Sequence, residues 1–305
     1  MSSNGRTLVT VPLRISKTWR ALACAGVALA FGVFAYHYGR FGYRQCHPAR
    51  TLVSSEERAA ATSALADLAD VSFQTKDGVT LRGWYEPPKN GVVVVLVHGL
   101  GGNRASLLPD AEVMARHGYG ILLYDSRAHG ESGGDTATWG STEANDIAQA
   151  VGFVRSHPDA QRIALLGFSV GASAVTRAAA NDPSISAVIL YATWPSLRAE
   201  MAYKAQRGGW LAAQLTLLAM SLSGTRIDEI RPEQDMKRIA PRPVLMLSGG
   251  EDLDTPPWAM DSLFSDISGP KQFWREPEVG HGGYEQAEPS EYERRVVGFL
   301  DHTFF

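Results

Sequence analysis

A chain of 305 residues that is 45% hydrophobic and 20% charged, with 30 glycines and 16 prolines, has the profile of a folded globular protein and not of a disordered or collagen-like one. Its two cysteines, Cys24 and Cys46, are too few for a disulfide scaffold or a structural zinc site. The net charge of −3 hides an asymmetry: residues 1–50 hold seven basic residues (Arg6, Arg14, Lys17, Arg20, Arg40, Arg44, Arg50) and no acid, so the rest is an acidic body without the basic face that nucleic-acid binding needs.

Within this basic arm of residues 1–50, Ala21–Tyr38 runs 18 residues without a formal charge, between Trp19 and Arg20 on one side and Tyr36, Tyr38 and Arg40 on the other. As a helix it spans about 27 Å, close to a bilayer's hydrocarbon thickness. Aromatic and basic flanks suit the membrane interface, so a single-pass membrane anchor is expected, lying outside the folded body. The rival is a cleaved signal peptide ending at Ala28-Leu29-Ala30, which leaves an apolar core at the short end of the range. Basic residues on both sides leave the orientation open.

Ser54-x-x-Glu57 is a capping-box pattern that opens a short alanine-rich helix. Val71–Gln74 and Leu81–Tyr85 then flank Lys76-Asp77-Gly78, a hairpin turn. Val92–Val97, Ile121–Tyr124, Ile163–Phe168 and Ala187–Tyr191 are short apolar runs without alternation, as strands buried on both faces read. Helix-length segments separate them, and Val244–Ser248, Gln272–Arg275 and a closing helix at Tyr292–Phe299 follow. The expectation is one α/β body over residues 51–305, a mostly parallel sheet with helices on both faces. The 194–239 stretch is longer than a crossover needs and reads as a helical lid insertion.

Gly167-Phe168-Ser169-Val170-Gly171 has the G-x-S-x-G form, in which a sharp strand-to-helix turn lifts a serine hydroxyl above the sheet edge. A second match, Gly130-Glu131-Ser132-Gly133-Gly134, follows no strand and opens no helix, so Ser169 is the candidate nucleophile. A serine attacking a carbonyl needs donors for the oxyanion and a base oriented by a carboxylate. His98-Gly99-Leu100-Gly101-Gly102, straight after a strand, offers backbone amides, and Leu100 with Val170 are the expected donors. Of eight histidines, His281 lies in a loop between the last strand and the final helix; His129 is the competitor. Gly249-Gly250-Glu251-Asp252-Leu253-Asp254 offers three carboxylates, of which Asp252 is the first choice and Asp254 the next.

These motifs, in the order Ser, Asp, His, together with Asp125-Ser126-Arg127-Ala128-His129-Gly130, resemble the α/β-hydrolase superfamily over residues 70–303. The leading hairpin, Phe73–Gly78 with Leu81–Tyr85, is similar to that of its membrane-anchored, serine-peptidase-like branch, which holds esterases, thioesterases and peptidases. Relatives commonly carry Gly where this chain has Ala128. The resemblance implies a serine hydrolase acting through an acyl-enzyme on a small-molecule or acyl substrate, without metal or organic cofactor. An ester or thioester leads, since Trp210–Leu222 is an uncharged stretch able to line an acyl pocket, to dip into lipid or to pack on the sheet. Glu200 and Glu251 keep a peptidase or amidase open, and a non-catalytic receptor or scaffold on the same fold is the third reading.

Overall fold

The computed structural model describes residues 16–305; the start of the basic arm, with Arg6 and Arg14, lies outside the described residues. Among these the sheet has eight strands: β1 (Ala69–Gln74), β2 (Thr80–Glu86), β3 (Val92–Val97), β4 (Gly120–Tyr124), β5 (Arg162–Phe168), β6 (Ala187–Tyr191), β7 (Val244–Gly249) and β8 (Lys271–Glu276). Their order is β1-β2-β4-β3-β5-β6-β7-β8. The β1–β2 hairpin turns at Gly78, with φ of 82°, and β2 pairs antiparallel with β4, while β4 through β8 are all parallel.

The helices are α1 (Lys17–Cys46), α2 (Ser55–Ala64), α3 (Leu108–Arg116), α4 (Glu143–Arg155), α5 (Val170–Asn181), α6 (Leu197–Lys204), α7 (Gly209–Leu222), α8 (Pro232–Ile239), α9 (Pro257–Asp266), α10 (Tyr284–Ala287) and α11 (Pro289–Phe304). Every residue of β3, β4, β6 and β7 is buried, because α3 and α11 cover one face of the sheet and α4, α5, α8 and α9 the other. Ser54 and Glu57 cap α2 reciprocally, the Glu57 amide donating to Ser54 Oγ at 3.1 Å and the Ser54 amide to Glu57 Oε2 at 2.7 Å.

The segment between β6 and β7 departs from its expected shape at both ends of its packing. Met236 and Ile239 of α8 join Val175, Ala178 and Ala179 of α5 in the core, so α8 belongs to the layer over the sheet. α7 joins neither of the clusters that cover the faces of the sheet; it packs along the last turns of α1 and buries Leu217 and Met220 with Trp139, Val170, Trp194, Leu197 and Met201 in a separate apolar cluster. At their crossing Gly42 backs onto α7, where an added Cβ would overlap the Thr216 carbonyl oxygen. Cys46 is buried, with Sγ 3.2 Å from Thr225 Oγ1. The apolar helix is therefore not wholly outside the folded body. Beyond it, Arg50 donates to the carbonyls of Gly130 at 3.2 Å, Gly134 at 2.5 Å and Ser132, stitching the arm to the loop after β4.

That loop holds Ala128 at φ 61° with the side chain buried. A Cβ in left-handed backbone is strained by about 1–2 kcal/mol, partly offset in glycine by the greater freedom of its unfolded chain. Ala128→Gly is expected to stabilise the protein by about 0.5–1 kcal/mol, read as a rise of a few degrees in melting temperature; a fall would show that the methyl group's packing outweighs the strain.

Candidate active site

The candidate residues converge at the carboxyl ends of β3, β5, β7 and β8. Between Phe168, the last residue of β5, and Val170, the first of α5, the chain turns within one residue, which puts Ser169 at φ 55°, ψ −117°. Such backbone costs of order 1–3 kcal/mol and is held here by its surroundings: the Ser169 amide donates to the Tyr191 carbonyl at 2.9 Å, and α5 presses on β3. Gly171 permits that approach, since a Cβ there would overlap the Val97 carbonyl oxygen.

Ser169 Oγ lies 3.0 Å from His281 Nε2, and His281 Nδ1 lies 2.8 Å from Asp252 Oδ2. Phe168 packs against the imidazole, ring centres 4.9 Å apart. Asp252 is buried, and its other oxygen, Oδ1, accepts from the amides of Asp254 at 2.8 Å and Thr255 at 2.7 Å. Its loop is thus wrapped around the carboxylate that faces the histidine. Asp254 is turned away, with Oδ1 3.0 Å from Lys204 Nζ, and Glu251 is exposed. Leu100 and Val170 both border the space in front of Ser169, and the Val170 amide, in the first turn of α5, has no acceptor within its helix.

The competing groups are occupied elsewhere. His98 donates from Nδ1 to the Gly99 carbonyl at 2.7 Å and accepts the Ser126 amide on Nε2 at 3.0 Å, which ties the glycine turn to the loop after β4. Burial, reinforced by the neighbouring His129, pushes His98 down to about 3, so it stays neutral. His129 is buried with Nδ1 on the Arg127 carbonyl at 2.8 Å, and burial lowers it too. Ser132 donates to the Asp125 carbonyl at 2.6 Å and accepts the Arg82 amide at 2.9 Å, a structural role for the second G-x-S-x-G.

In front of Ser169 opens a cleft of about 510 Å³. Its far walls come from residues that sequence reasoning missed: Phe41 and Gln45 of α1, Trp139, Tyr203 and Lys204 at the end of α6, Gln206 and Leu253. Trp139 donates from Nε1 to the Gln45 carbonyl at 2.8 Å, which fixes the end of α1 against the cleft. Glu200 also borders it, its Oε1 3.2 Å from Lys204 Nζ; burial outweighs that cation and pushes Glu200 up to about 7. No residue of α7 lines the cleft. Among the described residues no group of three His, Cys, Asp or Glu side chains is arranged to hold a metal ion.

A family profile described as serine aminopeptidase, S33, matches residues 88–240, half of the chain, ending before Asp252 and His281. An uncharacterised protein of Mycobacterium tuberculosis is 30% identical over 224 residues, 72% of this chain and 75% of that one. An uncharacterised protein of Salmonella typhi is 27% identical over 226 residues, 68% of this chain and 72% of the other. Among solved structures, an esterase of Pyrococcus furiosus superposes with a TM-score of 0.71 at 22% identity, covering 86% of this chain and 99% of that one, a likeness of fold.

Proposed function

Because this chain belongs to the serine aminopeptidase (S33) family of α/β-hydrolases, we propose that it is a serine hydrolase which cleaves carboxylic esters or thioesters through an acyl-enzyme. The observation that carries this reading is the unbroken hydrogen-bonded chain from buried Asp252 through His281 to Ser169 at the floor of an open cleft. His281 takes the Ser169 proton as Oγ attacks the carbonyl carbon, and the Leu100 and Val170 amides receive the oxyanion. The tetrahedral intermediate collapses, His281 passes the proton to the leaving alcohol or thiol, and the acyl group stays on Ser169. Water, deprotonated by the same imidazole, releases the acid. Asp252 holds the proton-bearing nitrogen toward itself and stabilises the imidazolium.

The ester reading is favoured over a peptidase by Lys204. An aminopeptidase site needs an unpaired acid for the substrate's ammonium, whereas the two carboxylates beside this cleft, Glu200 and Asp254, both already face Lys204 at 3.2 and 3.0 Å. Those same carboxylates support the second reading, a peptidase or amidase, if a substrate displaces the lysine. α1, long and apolar enough to cross a bilayer, is assigned as a retained single-pass anchor. A panel of p-nitrophenyl esters, acyl thioesters and aminoacyl anilides given to the full-length protein in detergent tests the assignment. Ester or thioester turnover at least a hundredfold above the anilides is expected; the opposite ranking makes it a peptidase, and no turnover with any of them would leave a receptor or scaffold.

A further inference from the structure

We infer that the mouth of the cleft is held at the surface of a lipid bilayer by α1 and the first turn of α7 together, and that its substrate is an acyl ester drawn from the lipid leaflet. The inference deepens the ester reading and rests on it. α1 has two parts. Lys17–Val33 is exposed on all sides, whereas from Phe34 onward one face packs on α7 and its approach.

The contacts advance in step along both helices. Phe34 and Tyr38 pack with Ala205, Ala212 and Ala213; Thr216 Oγ1 donates to the Tyr38 carbonyl at 3.4 Å; Gly42 meets Thr216 and Ala219; Cys46 meets Thr225, just past the end of α7. α7 therefore runs parallel to α1, with its first turn at the level of Phe34 to Tyr38, just past the end of the bare apolar part of α1. At that turn Trp210 is 75% exposed, beside a partly exposed Leu211, and Tyr36 is 67% exposed on α1. At the other end of the bare segment Trp19 is 69% exposed. Trp19 and Tyr36 are separated by about 26 Å of helix, so the aromatic residues form two girdles one hydrocarbon thickness apart. Arg40 and Arg207, both exposed, stand at the inner girdle, where lipid phosphates would meet them.

The cleft begins at the same level. Phe41 and Gln45 line it from α1, about 5 and 10 Å along the axis from Tyr38. Gln206 lines it from the turn that leads into α7. Apolar side chains stand on its rim among polar ones: Leu253 is 83% exposed, and Tyr203, with Trp258 set edgewise behind it, lines the cleft beside Lys204 and Gln206. An acyl chain leaving the leaflet beside Trp210 thus has a short route to Ser169 along Phe41, Tyr203 and Leu253, a path that a water-borne substrate does not need.

The test uses the full-length chain in vesicles of phosphatidylcholine and phosphatidylglycerol, from which alkaline carbonate should not extract it. In a Cys24→Ser background, where Cys46 is buried, a spin label on Trp210→Cys is expected to collide with oxygen in preference to an aqueous nickel complex. The double variant Trp210→Glu/Leu211→Glu, which leaves α1 and the cleft residues intact, is expected to hydrolyse a water-soluble p-nitrophenyl acetate within twofold of wild type. Hydrolysis of a long-chain ester embedded in the vesicles should fall at least tenfold. A nickel-accessible label overturns the inference, as does a label shielded from both reagents, which would mean a protein contact on α7. Equal loss on both esters also overturns it. If wild type cleaves neither ester while the label reads lipid, the hydrolase reading fails instead.

Discussion

Ser169→Ala is expected to abolish covalent labelling by a fluorophosphonate and to lower turnover of an activated ester roughly 10⁶-fold, the scale of removing a serine nucleophile from its triad. Among the described residues only Ser169 combines a hydroxyl 3.0 Å from an imidazole with a position at the edge of a cleft. Ser132→Ala is expected to label as wild type does, because its hydroxyl is buried between Asp125 and Arg82. Loss of those two buried hydrogen bonds should instead cost about 1–3 kcal/mol of stability, seen in a thermal melt. Equal labelling of wild type and Ser169→Ala would remove Ser169 from the mechanism.

Asp252→Asn is expected to lower kcat/KM about 10⁴-fold with the fold intact, and Asp254→Asn to leave it within about tenfold, a barrier change near 1.4 kcal/mol. The geometry dictates the size of the first effect. Asp252 Oδ1 accepts from two backbone amides, so an asparagine must keep its carbonyl there and turn its NH₂ toward His281. An NH₂ facing Nδ1 requires that nitrogen to be unprotonated, which moves the imidazole proton to Nε2, the atom that has to accept from Ser169. Asp254 makes no hydrogen bond to His281 and holds Lys204 instead. Both variants are compared on one activated ester, with melting curves as fold control; the reverse ranking would give the orienting role to Asp254.

The inner strands of the sheet were legible because they are buried on both faces, so each appears as an uninterrupted apolar run between turn signals. The parallel edge strand β8, Lys271–Glu276, is largely unburied and was found as the continuation of the strand–helix alternation, and all eight strands were found within a few residues. Ser169 and His281 were legible from position relative to those strands. Asp252 and Asp254 could not be separated by spacing, since what distinguishes them is a turn closed on the Asp252 side chain by the amides of residues 254 and 255. The pairing of α1 with α7 left no trace in the pattern. Both are apolar on nearly every face, so neither has the stripe by which a helix announces its partner. For the same reason Phe41 and Gln45 escaped notice, more than 120 residues from the serine they approach.

The division of labour among elements has a consequence for how such a protein can diverge. The groups proposed to break the bond all stand on loops that follow strands of one rigid sheet, whereas the cleft's outer walls come from α1, α6 and the turn after it. Replacing those walls changes what is admitted without disturbing what reacts. But one of them is also the segment by which the chain would be addressed to its membrane. An exchange of leader sequences, which in most proteins alters only the destination, here removes Phe41, Gln45 and the surface on which α7 rests. On the proposed anchoring, address and selectivity share one helix, and they are inherited or lost only together.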